Sequence, residues 1–338
     1  MRPYAFPYSL ALLIFLPLLF GFTEKKQVSF AGRTMGTTYH ITVVTEAPEA
    51  MEGLQQRVDR RLVEINQSMS TYLESSEISR FNRQRQEGVP FPASEDFYQV
   101  MSEADRLYRL TGGAWDGTVA PLVELWGFGR TDAPPQIPDR QAIQRALDRV
   151  GFRYIALDSG TLIKRRDGIT VDLGSIAKGF GVDAVAQLIR AAGYRSFLVE
   201  IGGEVMAQGR RTDGAPWRIG INTPRPNAAA DSIYRTVPLT GKAMATSGTY
   251  RNFITIGNRR YSHIIDPRTG YPVETGVVSA TVVAPNCTFA DGLATALMVM
   301  APDRGVALVE RLDDVECLLV LQRPDGSLAD RISGGFPH

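Results

Sequence analysis

Apolar and polar positions along the first half of the chain predict one strand followed by three amphipathic helices. Residues 37–44 alternate between the two classes, which is typical of a half-buried strand. Apolar residues then recur at helical spacing over 54–67. Further helices are predicted at 95–110, where Ser94 is a suitable N-cap, and at 139–150.

The second half of the chain changes to short strands separated by turns, with helices between them. Helices are predicted at 177–192, 290–300 and 304–312. Strands are predicted at 154–157, 161–164, 197–201, 217–221, 279–283 and 316–321. This spacing favours an α+β fold, with largely antiparallel sheets and packed helices, over a doubly wound parallel sheet.

The N-terminal segment is almost wholly apolar over residues 8–22. Fifteen residues are short for a bilayer span, which needs about 17–25, and suit the core of a signal peptide. Residues 1–23 are therefore expected to be a signal peptide or an N-terminal membrane anchor. Export is expected, to the periplasm or the extracytoplasmic face of the membrane. Residues 24–338 would form the body, as one domain or as two intimately joined subdomains.

Charge and composition exclude several classes of protein. The 37 Lys and Arg residues balance 36 Asp and Glu residues, so no nucleic-acid partner is expected and membrane contact would be limited to the N-terminal segment. Two cysteines, Cys287 and Cys317, cannot build a disulfide scaffold, and we expect two buried thiols. The three histidines, His40, His263 and His338, are too few for multi-histidine metal chemistry.

Residues 171–181 combine a strand end, a turn and a helix start. The strand delivers Asp172, and Lys178 falls in the first turn of the helix. Backbone N–H groups, the helix dipole and the ammonium favour a phosphate here, although such a turn can also cap a helix without a ligand. The pattern G-x-G-x-x-A at 179–184 lies inside the helix, so a dinucleotide-binding Rossmann turn is rejected.

Asp291 and Thr295 are four residues apart in a predicted helix and would face the same way. Their oxygen atoms suit Mg²⁺, which uses few protein ligands and takes the others from phosphate and water. The alternative, favoured when this segment is judged alone, makes Asp291 the N-cap and lets Thr295 bond to its own helical turn.

His263 ends a predicted strand and precedes an Asp-Pro-Arg-Thr-Gly turn. A histidine with a pKa near neutrality is a suitable general base for a hydroxyl group. No G-x-S-x-G motif is present that would make it part of a serine-hydrolase triad. The alternative is a turn histidine that bonds to a backbone carbonyl.

Two segments carry aromatic rings that could hold a planar ligand. They are 70–72, which contains Tyr72, and 113–118, which contains Trp115. Stacking on either ring would supply the apolar part of a binding site. Core packing is the alternative for both and is favoured when each is judged separately.

Taken together, these segments resemble the ApbE family of flavin transferases (FAD:protein FMN transferases) from about residue 34 to residue 321. The motifs that carry the resemblance are Met-Gly-Thr at 35–37, Ser-Thr-Tyr at 70–72, Ala-Trp-Asp at 114–116, Leu-Trp-Gly-Phe-Gly at 125–129, Asp-Leu-Gly-Ser-Ile-Ala-Lys-Gly at 172–179, Gly-Gly-Glu at 202–204, Thr-Ser-Gly-Thr-Tyr at 246–250, Ser-His-Ile-Ile-Asp-Pro at 262–267 and Asp-Gly-Leu-Ala-Thr-Ala at 291–296.

The resemblance implies transfer of FMN from FAD, through a phosphoester bond, to a Thr or Ser hydroxyl of an acceptor flavoprotein, with release of AMP. By motif position, the implied FAD site is lined by Met35, Tyr72, Ala114, Trp115 and Asp116. Asp172 and Lys178 would lie near the reacting phosphates, with His263 as the base. The implied Mg²⁺ ligands are Asp291, Thr295 and a backbone carbonyl near Ser175.

The implied reaction agrees with the chemistry of the residues. Cleavage of a pyrophosphate requires that its negative oxygens be shielded, which a metal ion and a lysine can do. Three alternatives stay open at this point. They are a metal-dependent FAD pyrophosphatase with water as the acceptor, a flavin-binding protein that does not cut FAD, and an envelope protein without catalytic activity.

Overall fold

A computed structural model describes residues 25–128, 136–229, 231–250 and 252–337. The predicted leader at 1–23 lies outside the described residues, so its fate stays a prediction. Among the residues that are described, no helix is both long and apolar enough to cross a membrane.

The described residues form fifteen strands and eight α-helices. The strands are β1 (Lys26–Thr34), β2 (Thr37–Thr45), β3 (Pro90–Pro92), β4 (Ile155–Asp158), β5 (Thr161–Lys164), β6 (Phe197–Ile201), β7 (Glu204–Gln208), β8 (Trp217–Asn222), β9 (Ile233–Leu239), β10 (Lys242–Gly248), β11 (Phe253–Ile256), β12 (Arg259–Ser262), β13 (Val277–Ala284), β14 (Glu316–Gln322) and β15 (Leu328–Ile332). The helices are α1 (Met51–Met69), α2 (Glu77–Arg83), α3 (Glu95–Leu110), α4 (Ala120–Leu125), α5 (Arg140–Leu147), α6 (Ala177–Ala191), α7 (Cys287–Val299) and α8 (Pro302–Val309).

The centre of the fold is an eight-stranded sheet in the order β1-β2-β6-β7-β10-β13-β14-β15. Every neighbouring pair in it is antiparallel, which confirms the predicted α+β class. Strand β10 illustrates that both faces of this sheet are buried in its central part. Ala243 and Ala245 belong to the core cluster that includes α6 and α7, whereas Met244 belongs to the cluster formed with the β8–β9 hairpin.

The helix boundaries follow from side-chain caps that the sequence supplies. Ser94 accepts a hydrogen bond from the N–H of Phe97, which starts α3 where the sequence predicts it. Helix α7 begins at Cys287, three residues before the predicted start at 290, because the Asn286 side chain caps it by accepting from the N–H of Phe289 at 2.9 Å. The alternative in which Asp291 is the N-cap is therefore wrong.

Helices α6 and α7 pack closely because Gly179 has no side chain. A Cβ atom at this position would lie 2.4 Å from the carbonyl oxygen of Cys287 and 2.9 Å from the Cβ atom of Asp291. Both distances are shorter than real Cβ contacts, so a larger residue would force the two helices apart.

We expect Gly179→Ala to lower the free energy of unfolding by about 1–3 kcal/mol, as overpacking of a core does. Gly53→Ala is the matched control because it lies in α1 with no atom within 4 Å of the added Cβ. It should raise stability by about 0.5–1 kcal/mol, since alanine favours a helix over glycine. Denaturant unfolding of both variants measures this, and equal effects of the two changes would contradict the packing argument.

Candidate active site

One cleft of about 790 Å³ collects residues from most of the segments that the sequence analysis selected. It is bounded by the 170–175 turn, the start of α6, the ends of β10 and β12, and helices α4 and α7. The predicted site residues that line it are Tyr72, Ala114, Trp115, Asp116, Asp172, Ser175, Lys178, His263, Asp291 and Thr295. Segments that are far apart in the sequence therefore meet at one place.

Met35 is the predicted site residue that does not line this cleft. It occupies the two-residue turn between β1 and β2 with a φ of 48°, next to Gly36 with a φ of 72°. The end of its side chain would be 3.0 Å from a Cβ atom at Gly181, so it rests on α6. Its assignment to the FAD site stays a prediction.

Lys178 lies between two buried carboxylates in the cleft. Its ammonium donates to Oε1 of Glu204, and the charge of Asp291 also acts on it. Burial alone would lower the pKa of Lys178, but the two carboxylates together raise it above its ordinary value. The lysine is therefore a permanent positive charge in the cleft, which is what an anionic substrate requires.

Most backbone amides around the start of α6 are already paired. The N–H of Gly174 donates to Asp172 at 2.7 Å, and those of Ile176 and Ala177 donate to the carbonyl of Leu173. Most of the backbone N–H groups that were expected to bind a phosphate therefore already donate hydrogen bonds within the turn. The Lys178 side chain is the main charged donor that this segment presents.

Asp291 is fully buried in the second turn of α7 and points toward α6. It accepts a hydrogen bond from the N–H of Gly179 at 3.0 Å, and burial raises the pKa of its carboxyl while Lys178 opposes the rise. Thr295 pairs with the Ser247 hydroxyl at 3.0 Å. The alternative in which Thr295 bonds only to its own turn is not the arrangement observed.

The side chains predicted to hold a metal ion here, Asp291 and Thr295, both offer oxygen donors. Within the described part of the chain, no three His, Cys, Asp or Glu side chains come together as a metal cluster. One carboxylate, one hydroxyl and a nearby carbonyl still fit Mg²⁺, because this ion takes most of its ligands from water and phosphate.

A hydrogen bond to the backbone holds His263 in a tautomer that a general base can use. Its Nδ1 atom lies 2.9 Å from the backbone carbonyl of Asn252, and because a carbonyl only accepts, Nδ1 must carry the hydrogen. Nε2 is then the nitrogen that can take a proton. Burial lowers the pKa of the imidazole, and the Asn252 carbonyl opposes this, so the ring is neutral at neutral pH.

This lowered pKa predicts the pH dependence of the reaction. The active form is the neutral imidazole, so kcat/KM should decrease at acid pH. The apparent pKa of this acid limb should lie below the ordinary histidine value of about 6.5. Activity should decrease as the pH falls through that limb. A pH–rate profile measures it, and the limb should disappear in His263→Gln; a limb that persists unchanged in the variant would assign it to another group.

The predicted aromatic and acidic residues differ in what they offer a ligand. Tyr72 is 79% exposed at the cleft, whereas Trp115 is 1% exposed and donates through Nε1 to the Ser175 hydroxyl at 3.0 Å. Both carboxylate oxygens of Asp116 accept hydrogen bonds inside the protein, from Thr118 and Phe152. Trp115 and Asp116 thus shape the cleft wall, and Tyr72 offers the accessible ring.

An apolar wall of the cleft was not found by sequence reasoning. It is formed by Val119, Val123 and Phe128 at helix α4, and the Phe128 ring lies 6.4 Å from the His263 ring. Trp126, at the end of the same helix, donates to the carbonyl of Gly270 at 2.8 Å and so holds the loop that follows His263. The sequence feature that could have indicated this wall is the Leu-Trp-Gly-Phe pattern, but this pattern predicts neither a helix nor a strand.

A fold of helices on an antiparallel sheet, with an ammonium, buried carboxylates and a neutral imidazole in one cleft, defines an enzyme that acts on an anionic substrate. Residues 35–319 match the model of the ApbE family. The chain belongs to the ApbE family, which confirms the resemblance found in the sequence.

Relatives and solved structures agree with this family. A protein of Vibrio cholerae named FAD:protein FMN transferase is 43% identical over 312 residues, which cover 91% of this chain and 92% of that protein. One of the same name from Haemophilus influenzae is 38% identical and covers 93% of this chain and 91% of its own. The solved flavin transferase ApbE from Vibrio cholerae has a TM-score of 0.84 at 41% identity and covers 92% of this chain and 98% of its own.

Proposed function

We propose that this protein is a FAD:protein FMN transferase that attaches FMN to a Thr or Ser hydroxyl of an acceptor protein. The observation that carries the proposal is that His263, Lys178 and Asp291 line one cleft. The shared name of the relatives from Vibrio cholerae and Haemophilus influenzae supports flavin transfer from FAD. The Thr or Ser acceptor and the release of AMP are what the resemblance to the ApbE family implies.

The proposed reaction exchanges the phosphoanhydride bond of FAD for a phosphoester bond to the acceptor. The acceptor oxygen forms a bond to the phosphorus of the FMN half of FAD, and the bond from that phosphorus to the bridging oxygen breaks, so that AMP leaves. Nε2 of His263 takes the proton of the attacking hydroxyl, a step worth about 10²–10⁴ in rate. Lys178 stabilises negative charge on the phosphates.

Mg²⁺ would be held by Asp291, Thr295 and a backbone carbonyl near Ser175. All of these donors are hard oxygens, and the fully buried Asp291 carboxylate needs positive charge beside it. When bound, the ion supplies Lewis-acid stabilisation to the phosphate oxygens.

The flavin ring would lie between Tyr72 and the apolar wall of Val119, Val123 and Phe128. An accessible tyrosine ring and an apolar wall of two valines and a phenylalanine suit a flat aromatic ligand. This arrangement keeps the diphosphate toward Lys178, at the polar end of the cleft.

Intact-mass analysis of candidate acceptor proteins tests the proposed function. After incubation with this protein, FAD and Mg²⁺, we expect an added mass equal to FMN less one water, with one AMP released for each adduct. Free FMN and AMP formed at full rate without an acceptor would instead identify a pyrophosphatase. Intact FAD after prolonged incubation with a competent acceptor would identify a flavin-binding protein. A protein without affinity for flavin would be none of these three.

We also propose that the protein acts outside the cytoplasm, held at the membrane by its N-terminal segment or released from it. The support is the apolar run at 8–22 of the sequence. Fractionation of cells that produce the full chain tests this. The protein should be found in the periplasmic or membrane fraction, and a purely cytoplasmic location would overturn the proposal.

A further inference from the structure

One buried carboxylate oxygen in the cleft has no hydrogen-bond partner. In the described part of the chain, three buried side-chain oxygens are unpaired, and Oε2 of Glu204 is the one that belongs to a charged group. The other two are serine hydroxyls. A bare buried carboxylate oxygen is unfavourable unless a cation or a donor lies beside it, so this atom marks a place for one.

The fold holds Glu204 in this position with little freedom. Gly202 and Gly203 form the turn between β6 and β7 with φ values of 60° and 102°, and Glu204 is the first residue after it. A Cβ atom at Gly202 would lie 3.2 Å from Cδ of Lys178, so the lysine stem passes directly over this glycine. The turn thus brings Glu204 to Lys178 and leaves room for both.

The charges around Glu204 do not balance. Oε1 is occupied by the Lys178 ammonium, and the negative charge of Asp291 is close enough to act on Glu204. If both carboxylates are ionised, they and the one ammonium carry a net charge of −1, and a dinucleotide would add its negative diphosphate to it. A divalent cation beside Oε2 would reverse this excess.

We propose that Glu204 is a further oxygen ligand of the divalent cation, with Oε1 held by Lys178 and Oε2 facing the ion together with the Asp291 carboxylate. This inference rests on the proposed function, because that function supplies the reason for an ion in the cleft. It makes Glu204 part of the metal site rather than only the partner of Lys178.

The test is a titration of Mn²⁺ into the full chain, with free Mn²⁺ followed by electron paramagnetic resonance. It is done without an acceptor, in the absence and in the presence of FAD. Glu204→Gln keeps the shape of the side chain and removes its charge, and it should weaken Mn²⁺ binding at least about tenfold. Because no transfer is measured, the result does not depend on whether the protein is a transferase.

Two further variants separate the metal role from the pairing with Lys178. Lys178→Met removes a positive charge near the ion and should strengthen Mn²⁺ binding, the opposite sign to Glu204→Gln. Glu103→Gln is the matched control, since Glu103 is a half-buried glutamate on α3 that pairs with Arg106 and lines the groove beside Asp183, not the cleft. It should leave the affinity unchanged.

Mn²⁺ binding that is equal in Glu204→Gln and the unaltered chain would overturn the proposal and leave Glu204 as a positioning residue for Lys178. If Glu204→Gln does not fold, crystals of the unaltered protein soaked in Mn²⁺ decide the question. An anomalous peak at about 2.0–2.6 Å from Oε2, within the range of Mg²⁺ and Ca²⁺ bonds to oxygen, would support it. An anomalous peak within bonding range of Asp291 but not of Oε2 of Glu204 would overturn it.

Discussion

Asp291→Asn should abolish metal-dependent FMN transfer, with a loss of at least about 10²–10³ in kcat. The reason is that the Asp291 carboxylate is buried in the cleft. An asparagine amide could still accept the hydrogen bond from Gly179, but it carries no negative charge to hold a metal ion. The measurement is the rate of acceptor labelling as a function of Mg²⁺ concentration. Unchanged transfer in the variant would withdraw the metal assignment.

The control for this variant is Asp183→Asn. Asp183 is a half-buried carboxylate on α6 that accepts hydrogen bonds from Cys287 and Thr288 and lines a different groove. Its replacement should lower stability and leave the Mg²⁺ dependence as it is. A loss of Mg²⁺ dependence in both variants would show that the effect of Asp291→Asn is structural.

His263→Gln should lower kcat by about 10²–10⁴ while the affinity for FAD stays nearly the same. The imidazole is a proton acceptor held by the Asn252 carbonyl, and its loss removes the base without opening the cleft. Pre-steady-state labelling separates this chemical step from FAD binding, which fluorescence titration measures.

His40→Gln is the matched control because His40 is exposed on β2 and pairs with Glu200 at 2.7 Å, away from the cleft. It should change neither quantity. Equal losses of kcat and FAD affinity in His263→Gln would make His263 a binding residue.

The elements that the sequence predicts well are those with local signals. Strand β6 and helix α3 have the predicted bounds because the mostly apolar sequence of β6 and the Ser94 cap of α3 are local features. Strand β10 was missed because its Lys-Ala-Met-Ala-Thr-Ser-Gly sequence is made of small residues, buried on both faces at the centre of the sheet. Its small side chains are explained only by the close packing of α7.

Most residues predicted to carry chemistry line one cleft, but the hydrogen-bond partners of several of them could not be predicted. Asp116 and Trp115 have the residue types of a ligand site, yet their polar atoms bond to Phe152 and Ser175, which are 36 and 60 residues away. Glu204 was noted only as part of a motif, because its partner Lys178 is 26 residues away in the chain. Such pairings depend on tertiary structure and leave no local pattern.

The state of the two cysteines could be predicted in part from the composition of the chain. Cys287 and Cys317 are both free and buried, as expected for two ordinary thiols. Cys287 lies at the start of α7 against Gly179, so its burial serves the contact between α6 and α7.

A crystal structure of the His263→Gln variant with FAD and Mg²⁺ tests the central claim, that the diphosphate of FAD lies in the cleft between Asp291 and residue 263. We expect the diphosphate within hydrogen-bond reach of the Lys178 ammonium and the metal ion bonded to Asp291. The bond that breaks in the reaction should lie on the side of residue 263. FAD bound with its diphosphate outside this cleft, or in the groove beside Asp183, would contradict it.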